Sequence, residues 1–427
     1  GGIRVNPDGV YPDPLRLDRA SIDLSLRLDP FRLVLGEMVV RHEDRNLHLS
    51  GGLDAHPEGW ALRLDAWLDR LTPAQLLAYW PEAVADKPRE WVTENLQSGQ
   101  LSDLDLALRL SPGQSPALHA DFRFAEAAIR FAKTLPPLEE ARGRASLTGS
   151  RFSVTAHAGV VRPGAGGEVD ATGSSFIIPD IGIKKAAPGI ARLRARGSVT
   201  AMMAMLDHPP LEVLTKAGLP VDLAEGQVTM QGTLALPLKD KVLIGDLDYH
   251  FTGEVTDLSS TVLVPDKTLS ADRLALRGDD TQVELSGEGL FGAVPVQARW
   301  QQPIGAAPGT RSLLSGRIEL SPDLLAEIDA ELPPQMVSGQ GEASFDLQLG
   351  GGAPPALSAR SDLTGLVLAI PQLGWRKPAA TEGRLDLTAR LGPDPAVETL
   401  SLDAVGLRAR GSIAFAEGGG FDRLRLS

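Results

Sequence analysis

Seven histidines, His42, His48, His56, His119, His157, His208 and His250, are the side chains best suited to move a proton or hold a metal near neutral pH. None stands in an H-E-x-x-H spacing, which would put two ligands on one helix face. His119 and Asp121 can share one face of a strand, where they read as a surface histidine beside a carboxylate. Gly287, Gly289 and Gly292 spell G-x-G-x-x-G, but Val294-Pro295-Val296 after them is strand-forming. A pyrophosphate needs a helix N-terminus at that point, so the reading is a glycine-rich hairpin. The acidic pairs Glu139-Glu140 and Asp279-Asp280 sit in turn-like, solvated stretches, and no G-x-S-x-G or phosphate-loop pattern occurs. With no cysteine, thiol chemistry, disulfides and thiolate zinc sites are excluded. These residues predict no catalytic group, no metal and no cofactor, and hence a protein that is not an enzyme.

Charge narrows the partners. Forty-two basic against 55 acidic residues give a net charge of −13 with Lys and Arg dispersed, which argues against nucleic acid. No run of 18 apolar residues occurs that would cross a membrane as a helix. The chain opens at Gly1 without Met and closes on the strand-like Leu424-Arg425-Leu426, and so reads as a piece of a longer protein.

The elements that must position any site follow a repeated grammar of helix, Gly-Gln, strand. In residues 71–110, Thr72-Pro73-Ala74-Gln75 is a capping-box pattern that starts a helix. Pro81 closes it, a second helical piece begins near Lys87, and Gly99 is placed to end that piece in a left-handed turn. Leu104, Leu106, Leu108 and Leu110 then alternate with Asp105, Ala107 and Arg109, the period of a strand with one apolar face. The succession returns before Gly226-Gln227 with Val228, Met230, Leu234 and Leu236. It returns again from Ser321-Pro322-Asp323, with Pro333-Pro334 as the stop, before Gly339-Gln340 with Phe345, Leu347 and Leu349. Residues 1–70 form an N-terminal meander, 71–199, 200–320 and 321–427 three modules. Ile22, Leu24, Leu26 and Leu28, and further alternating runs every 8 to 12 residues or so, extend the antiparallel pattern. Strands are expected within residues 122–131, 251–264 and 363–370 as well.

The fold expected is mainly β: a long curled antiparallel sheet, a gutter built from repeats with a few short helical insertions. Three such insertions cannot roof some thirty strands, which at about 4.8 Å each would run on the order of 140 Å. Open sheets of more than about ten strands curl, split or flatten. Either the sheet folds into filled sandwiches or its greasy inside holds something else, for which lipid acyl chains are the obvious occupant. The candidate lining is Leu104, Leu106, Leu108, Leu110, Val228, Met230, Leu234, Leu236, Phe345, Leu347 and Leu349. In a sandwich the same residues are sealed core. Trp80 and Trp91 either seat the helices on the sheet edge or stand at the gutter's mouth, and Met202, Met203 and Met205 are adaptable packing or a soft contact for cargo. A second functional class is an elongated β scaffold that binds proteins, for example in outer-membrane protein assembly.

Four local patterns carry a family resemblance. They are Tyr79-Trp80-Pro81 with Arg89-Glu90-Trp91-Val92, Asn95-Leu96 and Gly99; Leu206-Asp207-His208-Pro209-Pro210-Leu211 with Lys216-Ala217-Gly218-Leu219-Pro220; Gly226-Gln227 with Leu236-Pro237-Leu238; and Gly287 to Gly292 with Val294-Pro295-Val296 and Trp300. In that order, across residues 62–300, the chain resembles the AsmA-like proteins of Gram-negative envelopes, most closely their YhdP-type branch. The resemblance implies a periplasmic bridge, anchored in the inner membrane by a helix outside these residues, whose β-groove carries phospholipid toward the outer membrane. It also leaves room for protein partners in the envelope.

Overall fold

The computed structural model describes residues 3–5, 15–42, 45–82, 85–239, 241–304, 310–330, 332–333, 335–415 and 421–426. Strand makes up 61% of the chain and helix 11%, so helices can cover only a small part of any sheet. Two compact units divide it: one of Gly1–Arg196, His208–Leu211 and Gln231–Asp248, the other of Gly197–Asp207, Glu212–Met230 and Tyr249–Ser427.

In the first unit β1 (Ile3–Val5) and β2 (Leu15–Leu17) form a two-stranded ribbon. A curled antiparallel meander follows. It takes β3 (Arg19–Leu28), β4 (Phe31–His42), β5 (Arg45–His56) and β6 (Gly59–Leu71), and after the helices α1 (Pro73–Tyr79) and α2 (Asp86–Asn95) continues with β7 (Leu96–Leu110), β8 (Ala117–Ile129), β9 (Leu138–Thr148) and β10 (Arg151–Val161). The short strands β11 (Val169–Asp170) and β12 (Ser175–Ile178) pair with β10 on its far side and with β13 (Ala187–Ser198). The helices α3 (Val199–Leu206) and α4 (Val213–Ala217), which belong to the second unit, precede β14 (Glu225–Leu238), whose Leu238 end lies in the first unit beside Gly189 of β13.

The second unit holds the start of β14, where Met230 faces Gly253 of β15 (Asp248–Ser260). Its meander continues through β16 (Leu269–Asp279), β17 (Gln282–Phe291), β18 (Val294–Pro303) and β19 (Ser312–Leu320). After α5 (Pro322–Glu327) and β20 (Val337–Gly339) come β21 (Gly341–Leu349), β22 (Ala356–Ser361), β23 (Leu366–Ile370), β24 (Trp375–Lys377), β25 (Gly383–Arg390), β26 (Ala396–Ala404), β27 (Leu407–Phe415) and β28 (Phe421–Leu426). Of these β20, β23 and β24 form a separate small sheet, and β19 pairs directly with β21, β22 with β25.

Local chemistry sets the helix ends. The Thr72 N–H donates to Gln75 Oε1 at 2.9 Å and the Gln75 N–H to Thr72 Oγ1 at 3.4 Å, a complete capping box. Arg89 of α2 donates to the Trp80 and Leu77 carbonyls at 3.2 and 3.4 Å, satisfying acceptors that the end of α1 leaves open. Ser198 and Ser321 cap α3 and α5, and Gly218 ends α4 in the left-handed conformation. Pro333 lies beyond the end of α5 at Glu327, and Pro334 lies outside the described residues.

Three expectations need correction, the first being Glu139-Glu140, which lies not in a turn but in β9, where both carboxylates meet Arg162. Gly99 does not end a helix: α2 stops at Asn95 and β7 starts at once, with Gly99 inside it at φ +140°. A Cβ there would meet Cα and Cβ of Ala127 at 3.1 Å, so its role is to let the next strand approach. The run from Leu363 is not strand until Leu366, because Leu363 is buried in a left-handed turn at φ 57°.

Candidate functional site

Alternation along each strand and the registers between strands put the apolar side chains on one face. In the first unit Leu26, Leu33, Leu53, Leu62 and Leu110 stand opposite one another in turn across five strands. The adjoining row is Leu24, Leu35, Gly51, Leu64, Leu108 and Leu118. A third runs through Met38, Leu49, Ala66, Leu106, Ala120, Leu147, Phe152 and Ile178. The second unit repeats the arrangement with Leu276, Leu285, Trp300, Leu314, Leu347, Leu357 and Ala389. Beside it lie Ala298, Gly316, Phe345, Ala359, Leu387 and Leu400.

The opposite face is charged and internally paired. Arg32 meets Asp54, Arg109 meets Asp65 and Arg144 meets Asp121 at 2.5, 2.6 and 2.9 Å in the first unit. Arg277 meets Glu284 at 2.7 Å and Arg408 meets Asp403 at 3.1 Å in the second. The Arg32 guanidinium holds the Asp54 carboxyl below its ordinary range, as Arg384 does for Asp386. Each sheet therefore has one face fit for water and one that is not.

Burial shows where the apolar face is covered. Under α1, Leu71, Leu101, Leu104, Phe124, Ala127 and Ala141 form a sealed cluster against which Leu76 and Tyr79 of that helix pack. Away from it the cover ends: Leu24, Leu26 and Leu28 expose 55, 53 and 75% of their surface, Leu106 and Leu118 37 and 42%. Bulges mark the boundary, since Asp103, Glu126 and Glu140 on three successive strands are all left-handed. A bulge bends its strand and raises its twist, which curls this end of the sheet around the helix.

The candidate lining residues fall into two groups. Leu106, Leu108 and Leu110 stand half-buried to exposed on the open face, whereas Leu104 is sealed in the cluster under α1. In β14, Val228 is buried and Met230 half-buried in the second unit, and Leu234 and Leu236 are half-buried in the first. Phe345, Leu347 and Leu349 are half-buried opposite Gly316, Leu314 and Ser312. Of the other residues with two readings, Met202 is buried on α3, Trp80 follows α1 half-buried, and Trp91 is exposed on α2.

Strict alternation misses Leu101. It shares a face with Leu104, three residues on, because Asp103 at φ 52° inserts a bulge between Ser102 and Asp105. Alternation also misses two buried serines, the last residues of β15 and β22. Ser260 Oγ donates to the Leu223 carbonyl at 2.6 Å and Ser361 Oγ to the Glu342 carbonyl at 2.7 Å, each also accepting from the turn after its own strand. Both tie a strand end to a neighbour. Among the described residues no three His, Asp or Glu side chains converge as a metal site, and no helix is long and apolar enough to cross a membrane. The G-x-G-x-x-G run lies in β17 and its hairpin, with Gly292 in the turn at φ +59° and no helix after it.

No curated protein and no solved structure matches the chain. The family model described as YhdP protein matches residues 2–426, end to end across the helix, glycine and strand pattern from which these faces are built. By that match the chain belongs to the YhdP protein family.

Proposed function

We propose that this chain is a segment of an envelope lipid-transport bridge, in which phospholipid acyl chains lie on the apolar β-face and slide along it between inner and outer membrane. The observation that supports this most is that each unit carries rows of apolar side chains across one face of its strands and paired charge on the other, with the apolar face of the first unit open away from α1. Each buried CH₂ contributes about 0.8 kcal/mol, so two acyl chains are held firmly against leaving for water. Sliding replaces each lost contact by a like one ahead, so the barrier along the rows is low while the barrier off the sheet is high. Head groups stay in water at the margin of the face.

In this reading the protein works in the periplasm, anchored to the inner membrane by parts outside these residues. It carries no catalytic group, and its partners are phospholipids, both membranes through parts outside these residues, and proteins of the envelope. The test is mass spectrometry of lipid extracted from the purified chain and from a Leu106→Asp/Leu108→Asp variant. Phospholipid in the parent and none in the folded variant is the expected result. A folded parent free of lipid would favour the protein-binding scaffold instead.

A further inference from the structure

Two loops of the first unit leave neighbouring strand ends. One joins β12 to β13 and carries Ile181, Ile183, Lys184 and Lys185; the other joins β14 to β15 and carries Lys239, Lys241, Val242, Leu243 and Ile244. They emerge at the same end of the sheet, because β13 begins at Ala187 and Leu238 at the end of β14 lies beside Gly189. The tips hold their aliphatic side chains out in water: Ile181, Ile183, Leu243 and Ile244 expose 46, 44, 56 and 46% of their surface.

Nothing in strand connection demands such tips. The hairpins Pro57-Glu58 and Gly149-Ser150 turn at this same end with no large aliphatic residue in the turn. Nor are the tips slack. Asp180 accepts from the Gly182 N–H at 2.8 Å, and Asp246 accepts from the Leu243 N–H at 2.7 Å and from Lys239 at 2.8 Å. Asp180 and Asp246 are used up in shaping the loops; Asp240, between Lys239 and Lys241, lies outside the described residues, and Lys184, Lys185 and Lys241 are exposed and have no ion pair among the described residues. Four of the nine lysines of a chain with net charge −13 thus lie in two short loops, among exposed aliphatics.

We infer that these two loops are a docking surface for a bilayer that carries anionic phospholipid. Aliphatic tips that enter the head-group boundary, ringed by ammonium groups that meet phosphate, are the chemistry of interfacial binding. A water-filled surface or a neutral protein partner would leave either the aliphatics or the lysines without a counterpart. The surface is separate from the lining of the open face, so the two are tested separately.

The experiment is sedimentation of the purified chain with phosphatidylcholine vesicles and with mixed phosphatidylcholine–phosphatidylglycerol vesicles. The parent is expected to pellet with the mixed vesicles, less so in high salt. A Lys184→Glu/Lys185→Glu/Lys241→Glu variant should bind them roughly 100-fold more weakly. Leu243→Ser/Ile244→Ser should weaken binding by about tenfold or more. All changed residues are exposed, and circular dichroism checks that the variants stay folded. Leu106→Asp/Leu108→Asp, which tests lipid retention, should pellet like the parent, so a failure of that function and a failure of this surface give different results. Equal pelleting with both vesicle types, pelleting unchanged by the lysine reversals, or no pelleting at all overturns the inference. So does a parent dimer that Leu243→Ser/Ile244→Ser converts to monomer, which would assign the loops to a second copy of the chain.

Discussion

Lys377 exposes none of its surface, yet its ammonium is satisfied, with three donors facing the carbonyls of Leu363, Leu366 and Pro378 at 2.7, 3.1 and 3.1 Å. Two of those carbonyls flank a turn in which Leu363 and Gly365 are left-handed. The side chain takes the place of water at the turn and so ties β24 to the turn that leads into β23. Burial pushes its pKa below the ordinary 10.5, with Asp362 opposing the shift. The folded chain then holds this proton less tightly than the unfolded one. Between the lowered value and 10.5 the unfolded state binds more protons, so this group's contribution to stability rises with pH through that window. Lys377→Met should cost about 1–3 kcal/mol at neutral pH, since it orphans buried carbonyls. In urea titrations the gap between parent and variant should widen as pH approaches 10.5; a gap that narrows would refute the burial account.

At the scale of elements, the repeated unit is a helix followed by a long strand with a left-handed glycine near its start. Gly99, Gly226 and Gly339 have φ of +140°, +130° and +86°. Each lies against backbone of a later strand or turn that is itself left-handed, at Glu126, Asp257 and Gly365. A Cβ on Gly226 would stand 2.9 Å from the Thr256 carbonyl oxygen, and one on Gly339 would collide with that of Gly365. Two irregular backbones nest there only because one lacks a side chain. Gly99→Ala should therefore cost about 1–3 kcal/mol, whereas Gln100→Ala, next to it and exposed, should cost less than about 0.5 kcal/mol. Equal urea midpoints for the two variants would show that the close approach is not required.

For the chain as a whole, stability in acid rests on several half-buried carboxylates. Asp54 is held below its ordinary 3.8 by Arg32, Asp246 by Lys239, Asp279 by the Thr281 hydroxyl and Asp386 by Arg384. Because their folded values are lowered, each contributes in full above 3.8, and the contribution is lost as pH falls through the folded value. The urea midpoint is expected to lose height mainly below pH 3.8, and less steeply in high salt because the cations of the ion pairs, such as Arg32, reach solvent and are screened. A loss concentrated well above that pH would point to groups other than these pairs.

Much of this was legible in the residues alone. Alternation of Leu104, Leu106, Leu108 and Leu110 with polar residues fixes a strand and its two faces, because a side-chain period of two leaves no other arrangement. The capping box at Thr72 and Gln75 marks its helix because the hydrogen bonds are local. The family was legible too, in the linked helix, glycine and strand patterns. Other features depend on partners distant in sequence. Alternation gives parity but no register, so only pairing shows that leucines of five strands stand opposite one another in one row. The bulge at Asp103, which turns Leu101 inward, arises from pairing with β8, and Gly99 reads as a helix end until Ala127 is seen against it. Which leucines are sealed and which are open is decided by where α1 lies on the sheet, and that a lysine can stand buried is decided by three carbonyls that only the folded turn brings together.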